Sequence, residues 1–234
     1  MTHADAWIVC CEHATRRVPA AWRALFRGQR APLDSHRGWD PGAATLARAL
    51  ARRLDAPLFL GRATRLLVDL NRSLDHPRLF SELTRGLSAG ERERLLAELW
   101  RPYRDAIEAT VVRHLDAGRR VAHLSPHSFT PIWNGRERRV DVGLLHDPSR
   151  PRERALVEDL RARIRSREPG LRVFLNLPYR GYADGLTATL RARHPTPRYA
   201  GIEIEVNQAL VARPARWRAL VRTIVASVGE LATS

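Results

Sequence analysis

The sequence predicts an α/β fold, with a central sheet covered on its faces by helices. Two observations carry this. Short apolar runs alternate with helical patterns along the whole chain, the signature of a helix-covered sheet. Three of those runs lead straight into polar clusters: Trp7-Ile8-Val9-Cys10-Cys11 into Glu12-His13, Leu66-Leu67-Val68 into Asp69-Leu70-Asn71-Arg72, and Val121-Ala122-His123-Leu124 into Ser125-Pro126-His127-Ser128. Buried parallel strands read as such runs, and α/β proteins bind ligands in the crevice at the strands' C-terminal ends. At 234 residues and 44% hydrophobic content the chain is long enough for one well-buried domain. No internal repeat, low-complexity tract or Gly/Ser linker divides it, so residues 1–234 are expected to form a single domain.

Strands are expected over 6–11, 57–61, 65–70, 120–125, 140–145, 171–175 and 199–206. The first helix is expected over 41–54: Pro41 suits a first turn, and Leu46, Ala47, Leu50 and Leu54 form a stripe at helical spacing. Residues 88–118 hold the longest helical pattern. Ser88 with Glu91 reads as a capping box, Leu95, Leu99, Tyr103, Ile107 and Val111 line one face, and Gly118 stops it. Pro102 inside that span should kink or divide the helix. Further helices are expected over 151–167, 184–193 and 214–232.

Composition narrows the class of protein. The formal charge is +15, yet all 40 basic residues are arginine and none is lysine. That pattern reads as a coding bias, and the arginines are spread along the chain instead of forming a tail or stripe. The charge predicts salt-sensitive, nonspecific polyanion binding and no specific nucleic-acid partner. No stretch approaches the roughly 20 apolar residues needed to span a bilayer, and no secretory signal pattern is visible. The two cysteines, Cys10 and Cys11, are adjacent on a strand and point to opposite faces, which excludes a disulfide framework. A reduced cytoplasmic compartment fits. Thiols inside an apolar strand are inert, which argues against a cysteine nucleophile.

The polar clusters offer chemistry, and each has a plainer alternative. His13 and His127 follow apolar strands in loops rich in proline, where imidazoles can be fixed as metal ligands; a lone loop histidine can equally be structural. Asp40 precedes the helix at 41–54 and reads as a ligand or as an N-cap. Asn71 and Arg72 can clamp a carboxylate, the guanidinium bidentately, although Asp69 and Arg72 can equally pair with each other. Glu203 and Glu205 share one face of an apolar strand. Either serves as a general base if the strand is central, and both face solvent if it is an edge.

These residues recur in an order that resembles a family. Cys11-Glu12-His13-Ala14 with Arg17-Val18-Pro19, Trp39-Asp40-Pro41-Gly42-Ala43, Asp69-Leu70-Asn71-Arg72, His127-Ser128-Phe129-Thr130-Pro131, Asn176-Leu177-Pro178-Tyr179 and the Glu205 strand are similar to the N-formylglutamate amidohydrolases from end to end. That family resembles zinc carboxypeptidases and aspartoacylases. The resemblance implies a three-layer phosphorylase/hydrolase-like domain with a mixed central sheet flanked by helices. It implies one zinc ion held by His13, His127 and a carboxylate. Asp40 is the first choice for that carboxylate, with Glu12 and His36 behind it, because the position three after the first histidine is Arg16. It implies Asn71 and Arg72 as the clamp on the substrate carboxylate, and Glu205 ahead of Glu203 as general base. Arg17 or Arg72 would steady the oxyanion. After Glu205 the chain reads Val206-Asn207-Gln208-Ala209, a departure from the Arg and Asp of many relatives that touches substrate choice. The activity implied is hydrolysis of the amide of a small N-acyl amino acid such as N-formylglutamate. The alternative is a binding or regulatory protein on the same scaffold with a decayed metal site.

Overall fold

Period-two alternation sends successive apolar side chains of each strand to opposite faces, and the sheet follows from stacking those runs so that both faces are covered. The structure, a computed structural model, describes residues 4–233. Its strands are β1 (Ala6–Cys11), β2 (Leu58–Leu60), β3 (Val121–Phe129), β4 (Ile132–Trp133), β5 (Arg136–Glu137), β6 (Val142–Leu145), β7 (Val173–Leu175) and β8 (Tyr199–Asn207). Six form a sheet in the order β2-β1-β3-β8-β6-β7, and β4 pairs with β5 in a separate hairpin. All neighbours in the sheet run parallel except β8 and β6, so the sheet is mixed.

The helices are α1 (Arg30–Asp34), α2 (Ala43–Leu54), α3 (Ala89–Leu95), α4 (Arg101–Asp116), α5 (Pro151–Arg167), α6 (Leu186–Arg193), α7 (Gln208–Val211) and α8 (Pro214–Thr233), with a 3-10 turn over Ala20–Phe26. One face of the sheet packs through Val9, Cys11, Leu124, Ile202 and Ile204 against α2, α5 and α8. The other packs through Ile8, Cys10, Val121 and Tyr199 against α4 and α6. Three layers result. Cys10 and Cys11 fall in opposite cores, both buried and free. The capping box at Ser88 and Glu91 forms, and a π-helical segment, Leu96–Trp100, divides the long helix just ahead of Pro102. No helix among the described residues is long and apolar enough to cross a membrane.

Two sequence expectations need correction, and two readings that the sequence left open are decided. Residues 65–70 are not a strand. Leu66, Leu67, Val68 and Leu70 are buried in a second core with Trp22, Phe26, Leu79, Leu95 and Trp100, where turns shape the backbone. A short apolar run is compatible with any buried backbone, and here burial came without a ladder. His127 lies on β3 itself, which runs on to Phe129, and not in a loop after it. The N-cap position of α2 is Gly42, at φ +84°, and not Asp40. A Cβ at Gly42 would also come within 2.9 Å of Val211. Last, β8 is central between β3 and β6, so Glu203 and Glu205 do not face solvent.

Candidate active site

The alternation that builds the core also builds the site. On the α4/α6 side of the sheet, β3 presents Val121, His123, Ser125 and His127 in succession, and β8 presents Tyr199, Gly201, Glu203 and Glu205. The register sets Ser125 beside Glu203 and His127 beside Glu205. Each series runs from apolar core to ionisable group as it nears the strand's C-terminal end. His13 lies two residues beyond β1 at the same edge.

His13, Asp40 and His127 converge. One ligand atom from each lies within 4.8 Å of the others, and all three residues are at most 3% exposed. Asp40 Oδ2 stands 2.9 Å from His127 Nδ1 and 3.3 Å from His13 Nδ1. The ring centroids are 5.0 Å apart. The far nitrogen of each ring has its own carboxylate: His13 Nε2 is 2.7 Å from Asp69 Oδ1, and His127 Nε2 is 3.2 Å from Glu12 Oε2. Ser125 Oγ donates to Glu12 Oε2 at 2.7 Å and lies 2.9 Å from His127 Nε2. With both Nε2 atoms donating outward, the Nδ1 atoms are the ones that face Asp40. They donate to it while protonated and would offer lone pairs to a cation that displaces those protons, the way outer carboxylates orient metal-binding histidines.

A buried chain of hydrogen bonds fixes Glu12 in turn. Cys10 Sγ donates to Glu12 Oε1 at 2.9 Å, His123 Nε2 lies 2.9 Å from Cys10 Sγ, and His123 Nδ1 lies 3.0 Å from the Tyr199 hydroxyl. Burial pushes the His123 pKa down to about 4, so this imidazole is neutral. With Tyr199 donating to Nδ1 and Nε2 donating to sulfur, every proton in the chain points toward Glu12.

The electrostatics favour a cation at the donor triad. Burial opposes charge on Asp40, Glu12 and Asp69. Even so, the imidazoles hold Asp40 and Glu12 well below the usual carboxylate range, and Arg65 with His13 does the same for Asp69. Burial likewise opposes charge on His127 and His13. Asp40 and Glu12 nevertheless raise His127 well above its ordinary value, and Asp69 and Asp40 raise His13. Two nitrogens and one carboxylate oxygen form the mixed N/O set that a catalytic zinc site uses, so the residues fit such an ion.

Glu205 is 6% exposed, and its Oε2 has no hydrogen-bond partner among the described residues. Burial first, then the nearby Asp40 and Glu203 carboxylates, push its pKa up to about 8 against the pull of both imidazoles. Glu203 differs in having a partner, since Thr187 Oγ1 donates to it at 2.7 Å. These groups open on a cleft of about 920 Å³ whose walls include Asn71, Arg72 and Arg65.

Asn71 and Arg72 reach the cleft already anchored. Asn71 Oδ1 accepts the Leu186 N–H at 2.7 Å, which leaves its NH2 group for a ligand, and Arg72 Nη1 donates to the Asp184 carbonyl at 2.8 Å. Asp69 does not pair with Arg72. It accepts two bonds from Arg65, at 2.5 and 3.1 Å, as well as facing His13. Arg65 also lies 3.6 Å from Asp40 and so belongs to the site that the sequence reading left it out of. No periodic signal in the sequence marked it, because residues 65–69 lie on turns and in neither a helix nor a strand. The sequence also pointed to Arg17, and it stays apart from the site. It is exposed and outside the cleft lining, with its carbonyl bonded to Thr64. Arg16 turns outward to Asp34, His36 packs against Trp133, and Glu12 stands behind His127 rather than with the triad.

Fold and site together define a three-layer α/β protein with a buried His-Asp-His donor set at the floor of an arginine-walled cleft. The sequence model of N-formylglutamate amidohydrolase matches residues 5–212, and the chain belongs to that family of amidohydrolases. A gene product of Agrobacterium tumefaciens is similar at 30% identity and a TM-score of 0.82, over 98% of this chain and 92% of that one. An N-formylglutamate amidohydrolase from Ralstonia eutropha JMP134 shares the fold at 22% identity and a TM-score of 0.72, over 99% and 94%. No curated protein matches the chain.

Proposed function

We propose that the chain is a zinc-dependent amidohydrolase that cleaves the N-formyl, or another small N-acyl, amide of an acidic amino acid such as N-formylglutamate, giving formate and glutamate. The observation that carries this reading is the buried His13-Asp40-His127 set beside the unpartnered carboxyl of Glu205. Those three residues would hold one zinc ion per chain. When bound, zinc supplies Lewis acidity, polarising an acyl carbonyl and making water ionisable near pH ~7. Glu205 accepts the proton of the attacking water at Oε2 and returns it to the leaving nitrogen. A cation at the neighbouring donors lowers the Glu205 pKa from about 8 towards the range where a general base works best. Arg65 takes the oxyanion role that the sequence reading assigned to Arg17 or Arg72, because its guanidinium lines the cleft beside Asp40. Asn71 and Arg72 hold the substrate carboxylate and orient the amide over the floor.

Two free, buried cysteines fit a reducing, cytoplasmic setting. The test is formate or carboxylate release by zinc-loaded protein from a panel of N-formyl and N-acetyl amino acids. Turnover of N-formylglutamate above its neutral counterparts is expected. Protein that carries one equivalent of metal and hydrolyses none of the panel overturns the reading.

A further inference from the structure

One cation in the cleft is held rigidly and has no anion of its own. Arg138 follows β5 at the base of the hairpin, and its guanidinium carbon stands 5.0 Å from the ring centre of Trp133, 5.1 Å from Tyr179 and 5.7 Å from Phe129. Nη1 donates to the Tyr179 hydroxyl at 2.9 Å. The backbone is pinned as well: the Arg138 N–H donates to the Pro131 carbonyl at 2.8 Å, and the Asn207 amide donates to the Arg138 carbonyl at 3.3 Å. Among the described residues no carboxylate pairs with this side chain, although it lines the same cleft as Glu205 and Arg72.

The other cleft arginines differ in this respect. Arg65 is bound to Asp69, Arg72 leans on Asp184, and Arg37 pairs with Glu82. Arg78, Arg85 and Arg180 are exposed and lack the support of three rings; Arg180 has one, Tyr182, at 5.8 Å. Aromatic faces strip water from a guanidinium and fix its plane, which leaves its remaining N–H groups strong, directed donors to an incoming anion. The cage is also tied to the floor of the site, since Phe129 lies on β3 two residues beyond His127 and is 2% exposed.

We propose that Arg138 reads the side-chain carboxylate of the substrate, so that the cleft selects dianionic N-acyl amino acids over neutral ones. Asn71 and Arg72 take one carboxylate and Arg138 takes the other. This rests on the N-acyl amino acid reading above and names the residue that makes the acidic side chain a requirement.

The test uses the full zinc-loaded chain and two probes that are not N-acyl amino acids, glutarate and its monoamide. Binding is measured by calorimetry in salt high enough to screen the diffuse positive charge. The wild type is expected to bind glutarate about 10- to 100-fold more tightly than the monoamide, the range of one charge-assisted pair. Arg138→Met should bring that ratio below about 3-fold, and Arg138→Lys, which keeps charge without the fork, should retain part of it. A wild type that binds both probes equally, or an Arg138→Met variant that discriminates as well as the wild type, overturns the assignment. The reaction itself is judged separately. Equal kcat/KM for N-formylglutamate and N-formylglutamine leaves the amidohydrolase intact and removes the Arg138 role. Discrimination between the probes without any amide hydrolysis keeps the Arg138 role and removes the reaction.

Discussion

Replacing Glu205 by glutamine separates chemistry from stability, because the two are expected to move in opposite directions. The side chain is buried, Oε2 lacks a partner, and the pKa stands at about 8. The ordinary value is 4.5. Between those values the unfolded chain has released a proton that the folded chain still holds. Stability from this group is therefore full below the lower value and falls as pH rises, by about 1.4 kcal/mol per unit. At pH 7 the deficit is roughly 3 kcal/mol. Glutamine cannot ionise, though its amide inherits the unpartnered position at a cost of about 1–2 kcal/mol. The metal-free variant should thus be more stable than the wild type by roughly 1–2 kcal/mol at pH 7, a rise in Tm of about 2–8 °C for a chain of this size. The gain should disappear at about pH 5–6, where the shrinking deficit equals the cost of the amide, and reverse at lower pH. Activity should fall about 10²- to 10⁴-fold with the loss of the general base, or roughly 3–5 kcal/mol of barrier. Calorimetry on metal-free protein at pH 5 and 7, with steady-state kinetics on zinc-loaded protein, reads both effects. A variant within tenfold of wild-type kcat, or one less stable than the wild type at pH 7, refutes the reasoning.

Three further outcomes are expected. Glu12→Gln removes the carboxylate behind His127 and should weaken zinc binding about 10- to 100-fold in competition with a chelator; an unchanged affinity would show that the contact does not orient the ring. The raised His13 and His127 pKa values mean that metal-free stability is full below about 6.5 and declines as pH rises through the folded-state values. Since zinc displaces those protons, the Tm increment on adding zinc should be larger at pH 8.5 than at pH 6, and equal increments would count against proton competition. Arg191→Met should cost about 2–4 kcal/mol in denaturant unfolding, because Glu153 is 0% exposed and would lose its hydrogen-bonded charge partner, whose Nε now donates at 2.8 Å, and keep only Arg150 at 3.6 Å; a loss under 1 kcal/mol would contradict it.

Much of the framework was legible along the chain. The strand at 6–11 and the helix at 151–167 have the bounds that their patterns indicate, because a buried strand and a proline-started helix are local signals. His13, His127 and Glu205 stood out because each ionisable group ends an apolar run, and a parallel sheet delivers such ends to one edge. The segment at 65–70 misled because apolar composition reports burial and not the ladder that accompanies it. The identity of each partner was less legible still. A pair between Asp69 and its neighbour Arg72 was one of two open readings, but Asp69 serves His13 and Arg65, while Arg72 leans on Asp184 from 112 positions along the chain.

The sequence by itself determined the layered α/β plan and the list of groups available for chemistry, since periodicity and strand-end placement are properties of consecutive residues. Only the tertiary structure decided that Asp40 completes the donor triad, that Glu12 stands behind His127, that Arg65 enters the site while Arg17 stays outside, and that three rings hold Arg138. Those residues lie on turns and loops, where the backbone path is set by what packs beneath it, and no periodic rule carries that path in the order of the residues.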